Sequence, residues 1–252
     1  MLVAAIVLAA LLGLAVGSFL NVVAYRLPRG ESLDHPASHC PECGHPVRPR
    51  DNVPVLSWLL LRGRCRDCGT AISRRYPIVE ASTAVLWVAV VAAKWDDAAE
   101  IALGIALVTL LIPVILIDLD VRLIPNKLTG PFAVLALIIG LALDLDGVPE
   151  QLIAAAAAGG FFLLAALLYP RGMGMGDVKL VAVMGLYLGR AVAPAIFLGL
   201  IGGVVVGAII VSRVGARAGR KTAVPFGPFL AAGALVALFV GDALVDAYTG
   251  TF

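Results

Sequence analysis

The chain has 252 residues, of which 61% are hydrophobic and 14% are charged, and its mean hydropathy is +0.99. A soluble domain contains only about 45–50% apolar residues, so this composition excludes an ordinary soluble protein and indicates a polytopic membrane protein. The formal net charge of +2 is too small to indicate a nucleic-acid partner.

Apolar stretches recur along the whole chain. The first has no basic residues before it and no clear small-residue cleavage site, so we interpret it as a retained span rather than a signal peptide. Eight stretches approach the ~20 residues that cross a bilayer, and we therefore predict an all-α polytopic membrane protein with about eight transmembrane helices. Seven spans or a re-entrant pair are alternatives, because the sixth stretch is short. The stretches lie at about 1–20, 78–94, 99–117, 128–145, 150–169, 178–190, 192–212 and 224–245.

The basic residues are concentrated in alternate connections. Of the 19 Lys and Arg residues, 17 lie in the connections after the first, third, fifth and seventh stretches, and only Lys94 and Arg190 lie elsewhere. Cytoplasmic loops carry the excess of basic residues in membrane proteins. We therefore predict that these four connections are cytoplasmic and that both termini lie outside.

One polar segment, from about Arg26 to Pro77, holds all four cysteines. We divide the chain into a first transmembrane helix (1–25), a small cytoplasmic loop domain stapled by zinc (26–77), a seven-helix membrane core (78–245) and a short outer tail (246–252).

The cysteines form two C-x-x-C units separated by 21 residues, and a glycine follows each unit. This spacing is typical of a tetrahedral, all-thiolate structural zinc site, and a loop without a large core of its own needs such a staple. Two disulfides, a redox site or an empty site are the alternatives, although a reducing cytoplasm disfavours disulfides. The nearby histidines could replace a ligand: they are His35, His39 and His45. The predicted zinc ligands are Cys40, Cys43, Cys65 and Cys68.

Two aspartates lie at the ends of apolar stretches. Asp118 directly follows an uncharged run, and Asp177 directly precedes one; the predicted orientation places both at the cytoplasmic edge of the membrane. Ionisable residues at such positions are costly and usually functional. Two neighbouring carboxyl groups can share one proton, so that one acts as general base on a water while the other protonates a carbonyl oxygen.

Each aspartate also has a structural interpretation: Asp118 as an interfacial charge at a helix end, and Asp177 as an N-cap. Their matched depth favours the catalytic pair. A helix N-terminus stabilises an anion, which predicts Asp177 as the more readily ionised partner. Glu80, near the same edge, pairs with an arginine or lines the same site.

Several segments resemble the type IV prepilin leader peptidases, which are membrane aspartyl proteases of the GxGD class. The resemblance extends from about residue 17 to residue 188. Asp118 with Ile124-Pro125-Asn126 is similar to the family's first catalytic motif, and Gly174-x-Gly176-Asp177-x-Lys179-Leu180 is similar to the second. Further similar segments are Gly17 to Pro28, Asn52 to Leu59, Leu61 to Cys68, Ile72 to Glu80 and the turn Pro225-Phe226-Gly227-Pro228.

The resemblance implies an endopeptidase of the inner membrane that removes the basic leader of prepilins or pseudopilins at the cytoplasmic face, in type IV pilus or type II secretion assembly. Members with the cysteine loop commonly also methylate the new N-terminus with S-adenosylmethionine. That activity rests on the resemblance alone, because no glycine-rich strand-turn-helix signature is visible. The implied catalytic residues are Asp118 and Asp177, and the implied site-shaping residues are Gly174, Gly176, Lys179 and Glu80.

Two other classes of protein are compatible with these features. A proton- or ion-coupled transporter could use Asp118 and Asp177, but transporter sites tend to lie near the bilayer midplane. A non-enzymatic assembly factor could bind a partner through its cysteine loop and leave the aspartates inert.

Overall fold

The structure is a computed structural model that describes residues 1–169, 173–215 and 224–250. Four basic residues that contribute to the predicted orientation lie outside the described residues: Arg171, Arg217, Arg220 and Lys221. The last two residues of the predicted outer tail, Thr251 and Phe252, also lie outside them. The chain divides into two compact units, Met1–Asp96 and Asp97–Phe252.

The N-terminal unit contains two long helices, α1 (Leu2–Arg26) and α3 (Arg75–Ala93), and a one-turn helix between them, α2 (Leu56–Leu60). Helices α1 and α3 pack antiparallel, with Gly17 against the backbone of Glu80. At one end of this pair, the buried Asn21 donates a hydrogen bond from Nδ2 to the carbonyl of Tyr76. The loop between α1 and α3 therefore leaves and returns at the same end of the pair.

In the described part of the C-terminal unit there are six α-helices, and α4 has the largest number of buried residues. Small residues allow close approach within two antiparallel pairs, α6 with α7 and α8 with α9, as is usual for helices packing in lipid. The core centres on α4 side chains with no exposed surface: Leu107, Val108, Leu110, Leu111, Val114 and Ile117. The helices are α4 (Ala98–Val121), α5 (Asn126–Leu143), α6 (Val148–Leu168), α7 (Met175–Leu188), α8 (Val192–Val214) and α9 (Gly227–Thr249).

Helices α7 and α8 run in opposite directions although little separates them in sequence. Gly189 has a φ of 52° and ends α7. The next residue, Arg190, pairs with Asp242 and Asp246 near the end of α9, whereas α8 then runs back to place Gly203 beside Phe226, before the start of α9. The short sixth apolar stretch is thus a helix of 14 residues, about 21 Å long.

Within the described ranges, seven helical stretches are long and apolar enough to cross a membrane, and one of them, Met175–Arg213, contains both α7 and α8. The prediction of an all-α membrane protein is confirmed. Several helices extend beyond the apolar stretch that predicted them: α4 continues to Val121 and α9 to Thr249. Hydrophobicity marks the part of a helix that lies in lipid, while the backbone hydrogen bonds continue into the polar edge.

Three helices begin beside the end of α4, at one end of the C-terminal unit. Helix α4 ends there with Arg122 in the left-handed conformation, at a φ of 55°, and α5, α7 and α9 all begin there. The side chain of Ile124, between α4 and α5, is buried against both Gly176 of α7 and Gly227 of α9. This convergence brings together segments that are distant in sequence.

Candidate active site and metal centre

Asp118 lies in the last turn of α4 and is only 6% exposed. Its Oδ2 accepts a hydrogen bond of 3.0 Å from the backbone N–H of Gly227, the first residue of α9. The carboxyl group therefore faces the N-terminal end of a helix, where the free N–H groups and the helix dipole stabilise a negative charge.

Asp177 is the third residue of α7 and is half-buried. Its backbone N–H donates to the carbonyl of Gly174, the N-cap residue, at 3.1 Å. Ile124 packs against Gly176, the residue before Asp177, and also against Gly227 beside the Asp118 carboxyl group. The structure therefore brings both sequence-predicted aspartates to one end of the C-terminal unit.

Both carboxyl groups lie at helix N-termini: Asp177 in the first turn of α7, and Asp118 at the first N–H of α9. A helix dipole stabilises an anion at Asp118 as well as at Asp177, so it does not separate an acid from a base. Two carboxyl groups in Coulombic range cannot both ionise cheaply and can share a proton. Such a pair can perform general acid and general base catalysis on one water.

The glycines of the predicted motif occupy distinct positions. Gly176 lies against Ile124, and a Cβ atom at this position would be 3.1 Å from the Ile124 Cβ. Gly174 caps α7 and lies beside the Asp177 carboxyl group. Lys179 is exposed and donates a hydrogen bond of 2.9 Å from Nζ to Oδ1 of Asn126, the first residue of α5. Lys179 thus connects α7 to the segment that follows Asp118.

Glu80 belongs to the N-terminal unit and is 6% exposed. Its Oε2 accepts a hydrogen bond of 2.6 Å from the backbone N–H of Val55, the residue that precedes α2. Val55 has a φ of 60°, which is a rare conformation for a β-branched residue. Glu80 therefore holds the cysteine loop against α3.

The four cysteines form one cluster in which all Sγ atoms lie within 4.8 Å of one another. Each C-x-x-C unit occupies a tight hairpin: the Cys40 N–H donates to the carbonyl of His45, and the Cys65 N–H donates to that of Thr70. The Sγ atoms of Cys40 and Cys68 are 3.8 Å apart. Four sulfurs placed tetrahedrally at ~2.3 Å from a zinc ion are about 3.8 Å apart. The donor set therefore fits a metal ion.

Two ion pairs join the second cysteine hairpin to the segment after the first. Arg66 donates two hydrogen bonds to Asp51, at 2.8 and 2.6 Å, and Arg48 pairs with Asp67 at 2.7 Å. The Arg66 guanidinium holds the pKa of the Asp51 carboxyl below its usual value. Backbone N–H groups of Cys68 and Asp67 lower the pKa of the Cys65 thiol to about 7, whereas desolvation and the neighbouring thiols raise the pKa of Cys68.

The three nearby histidines do not join this cluster. Among the residues that the structure describes, the only group of metal-ligating side chains at this spacing is the four cysteines. His39 contacts the carbonyl of Ala37 and His35 lies 3.7 Å from Asp34.

Two family models match the chain: the Bacterial Peptidase A24 N-terminal domain over residues 11–94 and the Type IV leader peptidase family over residues 105–212. Three relatives named prepilin leader peptidase/N-methyltransferase are also similar. The protein of Myxococcus xanthus (strain DK1622) is 38% identical over 84% of this chain and 64% of its own length. The protein of Aeromonas hydrophila is 36% identical over 96% of this chain and 93% of its own length. That of Pseudomonas aeruginosa (strain PAO1) is 35% identical over 94% of this chain and 91% of its own length. The chain belongs to the type IV leader peptidase family.

The resemblance inferred from the motifs is thus confirmed. The chain spans just under two thirds of the Myxococcus relative and nearly the full length of the other two. No solved structure matches it.

Two residues beside Asp118 were not among the predicted site residues. Gly227 donates to the carboxyl group, and Ile124 fills the space between the helix starts. Both lie in motifs that the sequence displays, Pro225-Phe226-Gly227-Pro228 and Ile124-Pro125-Asn126. The first motif was already grouped with Asp118, but nothing in the sequence indicated that the turn containing Gly227 contacts Asp118.

Proposed function

We propose that this protein is a membrane aspartyl endopeptidase that removes the basic leader of prepilin or pseudopilin precursors. The observation that carries the proposal is the convergence of the segments holding Asp118 and Asp177 at one end of the helical unit, with Asp118 bound by the first N–H of α9. Family membership supports it, because the named relatives are prepilin leader peptidases.

In this mechanism the two aspartates share one proton. The ionised carboxylate removes a proton from a water as the water attacks the scissile carbonyl carbon, and the protonated carboxyl donates to the carbonyl oxygen. The peptide nitrogen then leaves with a proton from the same pair. The Gly227 N–H would hold the Asp118 carboxyl group in one orientation through these steps.

We place the active site at the cytoplasmic edge of the inner membrane, with both termini outside. The support is the distribution of basic residues, 17 of 19 in four alternate connections. In this orientation a substrate can keep its basic leader in water and its apolar segment in lipid. An acidic pair also attracts a basic leader.

We further propose that the cysteine cluster holds one structural zinc ion. Cys40, Cys43, Cys65 and Cys68 would supply four thiolates and leave no open position. The metal would fix the two hairpins of the loop and take no part in peptide hydrolysis.

Methylation of the new N-terminus with S-adenosylmethionine is proposed on the names of the relatives, and we assign no residue to it. It can be measured in the same reaction, as transfer of a labelled methyl group to the cleaved product.

The deciding experiment is cleavage of a prepilin-like peptide by the purified protein in detergent. We expect Asp118→Asn and Asp177→Asn each to lower kcat by about 10²–10⁴, since each removes one of the two proton-transfer groups. Asp120→Asn is the matched control, because Asp120 is an exposed carboxyl group two residues from Asp118, and it should retain cleavage.

Retained cleavage in either variant would refute the two-aspartate mechanism. Absence of cleavage by the unmodified protein would instead favour the transporter or the assembly factor. Proton or cation flux through reconstituted vesicles, lost in the same two variants, would identify the transporter.

A further inference from the structure

The short helix α2 exposes an apolar surface in a loop that is otherwise polar. Its inner side is packed: Ser57 is buried, and Trp58 donates from Nε1 to the carbonyl of Ile72. Three leucines on the opposite side, together with one valine in the segment before the helix, are 45–74% exposed. These residues, which we call the α2 leucine face, are Val53, Leu56, Leu59 and Leu60.

The hydrogen bond between Val55 and Glu80 fixes the depth of this face. Glu80 is the sixth residue of α3, so its Cα lies about 7.5 Å along the axis from Arg75. Helical side chains lean toward the N-terminus, which places the Glu80 carboxyl at the level of the first turn of α3. Because Val55 bonds to that carboxyl and α2 begins at the next residue, α2 starts at the same level.

That level corresponds to the edge of the bilayer. Helix α3 has 19 residues and is therefore about 28 Å long, close to the ~30 Å of a hydrocarbon core, so its first turn lies at the interface. Two exposed tyrosines lie there as well, Tyr76 in the first turn of α3 and Tyr25 in the last turn of α1. Tyrosine is enriched at membrane interfaces.

The charge of the loop fits an anionic membrane surface. Arg62 and Arg64 are exposed and directly follow α2. Residues 26–77 contain nine arginines and five acidic residues. Basic residues beside an apolar face are typical of segments that lie in the interface plane of anionic bilayers.

We propose that the α2 leucine face inserts into the interfacial region of an anionic bilayer, with Arg62 and Arg64 against the lipid headgroups. The cysteine loop is then anchored to the membrane at two points, through Glu80 on α3 and through lipid. This inference is independent of the peptidase activity.

Fluorescence quenching by lipid tests the proposal directly. Leu60→Trp is prepared in a Trp87→Phe, Trp95→Phe background, which keeps the packed Trp58, and is reconstituted into phosphatidylcholine–phosphatidylglycerol vesicles with acyl chains brominated near the glycerol end. The fluorescence of the background protein under the same conditions is subtracted, so that the difference reports position 60. Glu42→Trp, at the exposed tip of the first cysteine hairpin, is the control in the same background. We expect at least ~2-fold stronger quenching at position 60, because an interfacial face lies about 5–10 Å into the headgroup boundary. Leu56→Trp repeats the test if Leu60→Trp does not fold.

Other results would overturn the proposal. Quenching at position 60 by aqueous iodide and not by brominated lipid would show a face in water. Protection from both quenchers would show a face covered by protein, such as a second copy of the chain or the apolar segment of a substrate. Equal lipid quenching without phosphatidylglycerol would remove the role assigned to the two arginines.

Discussion

The hydrogen bond between the Gly227 N–H and Asp118 can be altered by a substitution at Gly227, which leaves both aspartates in the sequence. A Cβ atom at this position would lie 2.6 Å from the Asp118 Oδ2, so Gly227→Ala must displace the carboxyl group and lengthen its hydrogen bond. A hydrogen bond to a charged group contributes about 1.5–3 kcal/mol. We therefore expect kcat for the prepilin-like peptide to fall by about 10- to 100-fold, with the pH profile of kcat displaced relative to the unmodified protein.

Gly130→Ala is the control for this substitution, since Gly130 is exposed and a Cβ atom there meets nothing within 4 Å. It should leave both kcat and the pH profile unchanged. A Gly227→Ala protein that cleaves at the original rate would show that the α9 N–H has no role in positioning Asp118.

The sequence could predict the two aspartates but not this contact. Asp118 and Asp177 are identifiable one at a time, because each carries a charge at the end of an apolar stretch. The contact between Gly227 and Asp118 spans 109 positions and depends on how α9 packs against α4. A glycine in a Pro-Phe-Gly-Pro turn is adequately explained by the turn itself, so nothing local reveals its partner.

At the scale of the elements, the cysteine loop should bind zinc and depend on it for stability. Metal analysis should find about one zinc per chain, and Cys65→Ser should remove it, because a four-thiolate site loses its closed shell when one ligand is lost. Structural zinc contributes apparent binding free energies of about 10–16 kcal/mol in small domains, so the loop should become sensitive to trypsin at its many arginines.

His39→Ala is the matched control, because the cysteine cluster holds no histidine among the described residues. It should keep both the zinc and the resistance to trypsin. A Cys65→Ser protein with full zinc content would contradict the four-cysteine site.

The pairing of α6 with α7 depends on a close approach at Gly185. A Cβ atom at this position would lie 2.6 Å from the Cα of Ala155. Because this neighbour is backbone, Gly185→Ala must separate the helices, and we expect a loss of about 1–3 kcal/mol measured as a lower midpoint of thermal unfolding in detergent. Gly160→Ala, at a position on α6 with open space, should not lower the midpoint; equal losses in both variants would argue against the close contact.

The sequence predicts which segments form helices, but it does not predict which helices pack against each other. Each apolar stretch of about 20 residues became a helix, since a backbone in lipid must satisfy its own hydrogen bonds. The boundary between α7 and α8 was ambiguous because the sixth apolar stretch is short and its end was marked only by Gly189, Arg190 and Pro194. It is resolved by the conformation of Gly189 and by the contacts of Arg190 with α9, neither of which has a signature in composition.

For the whole molecule, the two compact units correspond closely to the two family models, which cover residues 11–94 and 105–212. The second model ends before α9, yet the first N–H of α9 binds Asp118. The C-terminal helix therefore completes the carboxylate site, although its sequence, apart from the Pro-Phe-Gly-Pro turn, is generic for a membrane helix.

The orientation of the whole chain leads to the last prediction. In the proposed topology Arg190 is one of two basic residues on the outer side, and it is paired with Asp242 and Asp246, while its backbone N–H donates to Glu150. The excess of Lys and Arg in the opposite connections predicts that this end of the chain faces outward. A membrane-impermeant maleimide applied to intact spheroplasts should therefore label Asp146→Cys, in the connection between α5 and α6, and should not label Lys127→Cys, in the first turn of α5. The unmodified protein should also remain unlabelled, because the proposed topology puts its four cysteines on the inner side. Lys127→Cys should react once the membrane is permeabilised. Labelling of Lys127→Cys in intact spheroplasts, with none of Asp146→Cys, would reverse the orientation and move the carboxylate pair to the outer face, where a basic leader retained in the cytoplasm could not reach it.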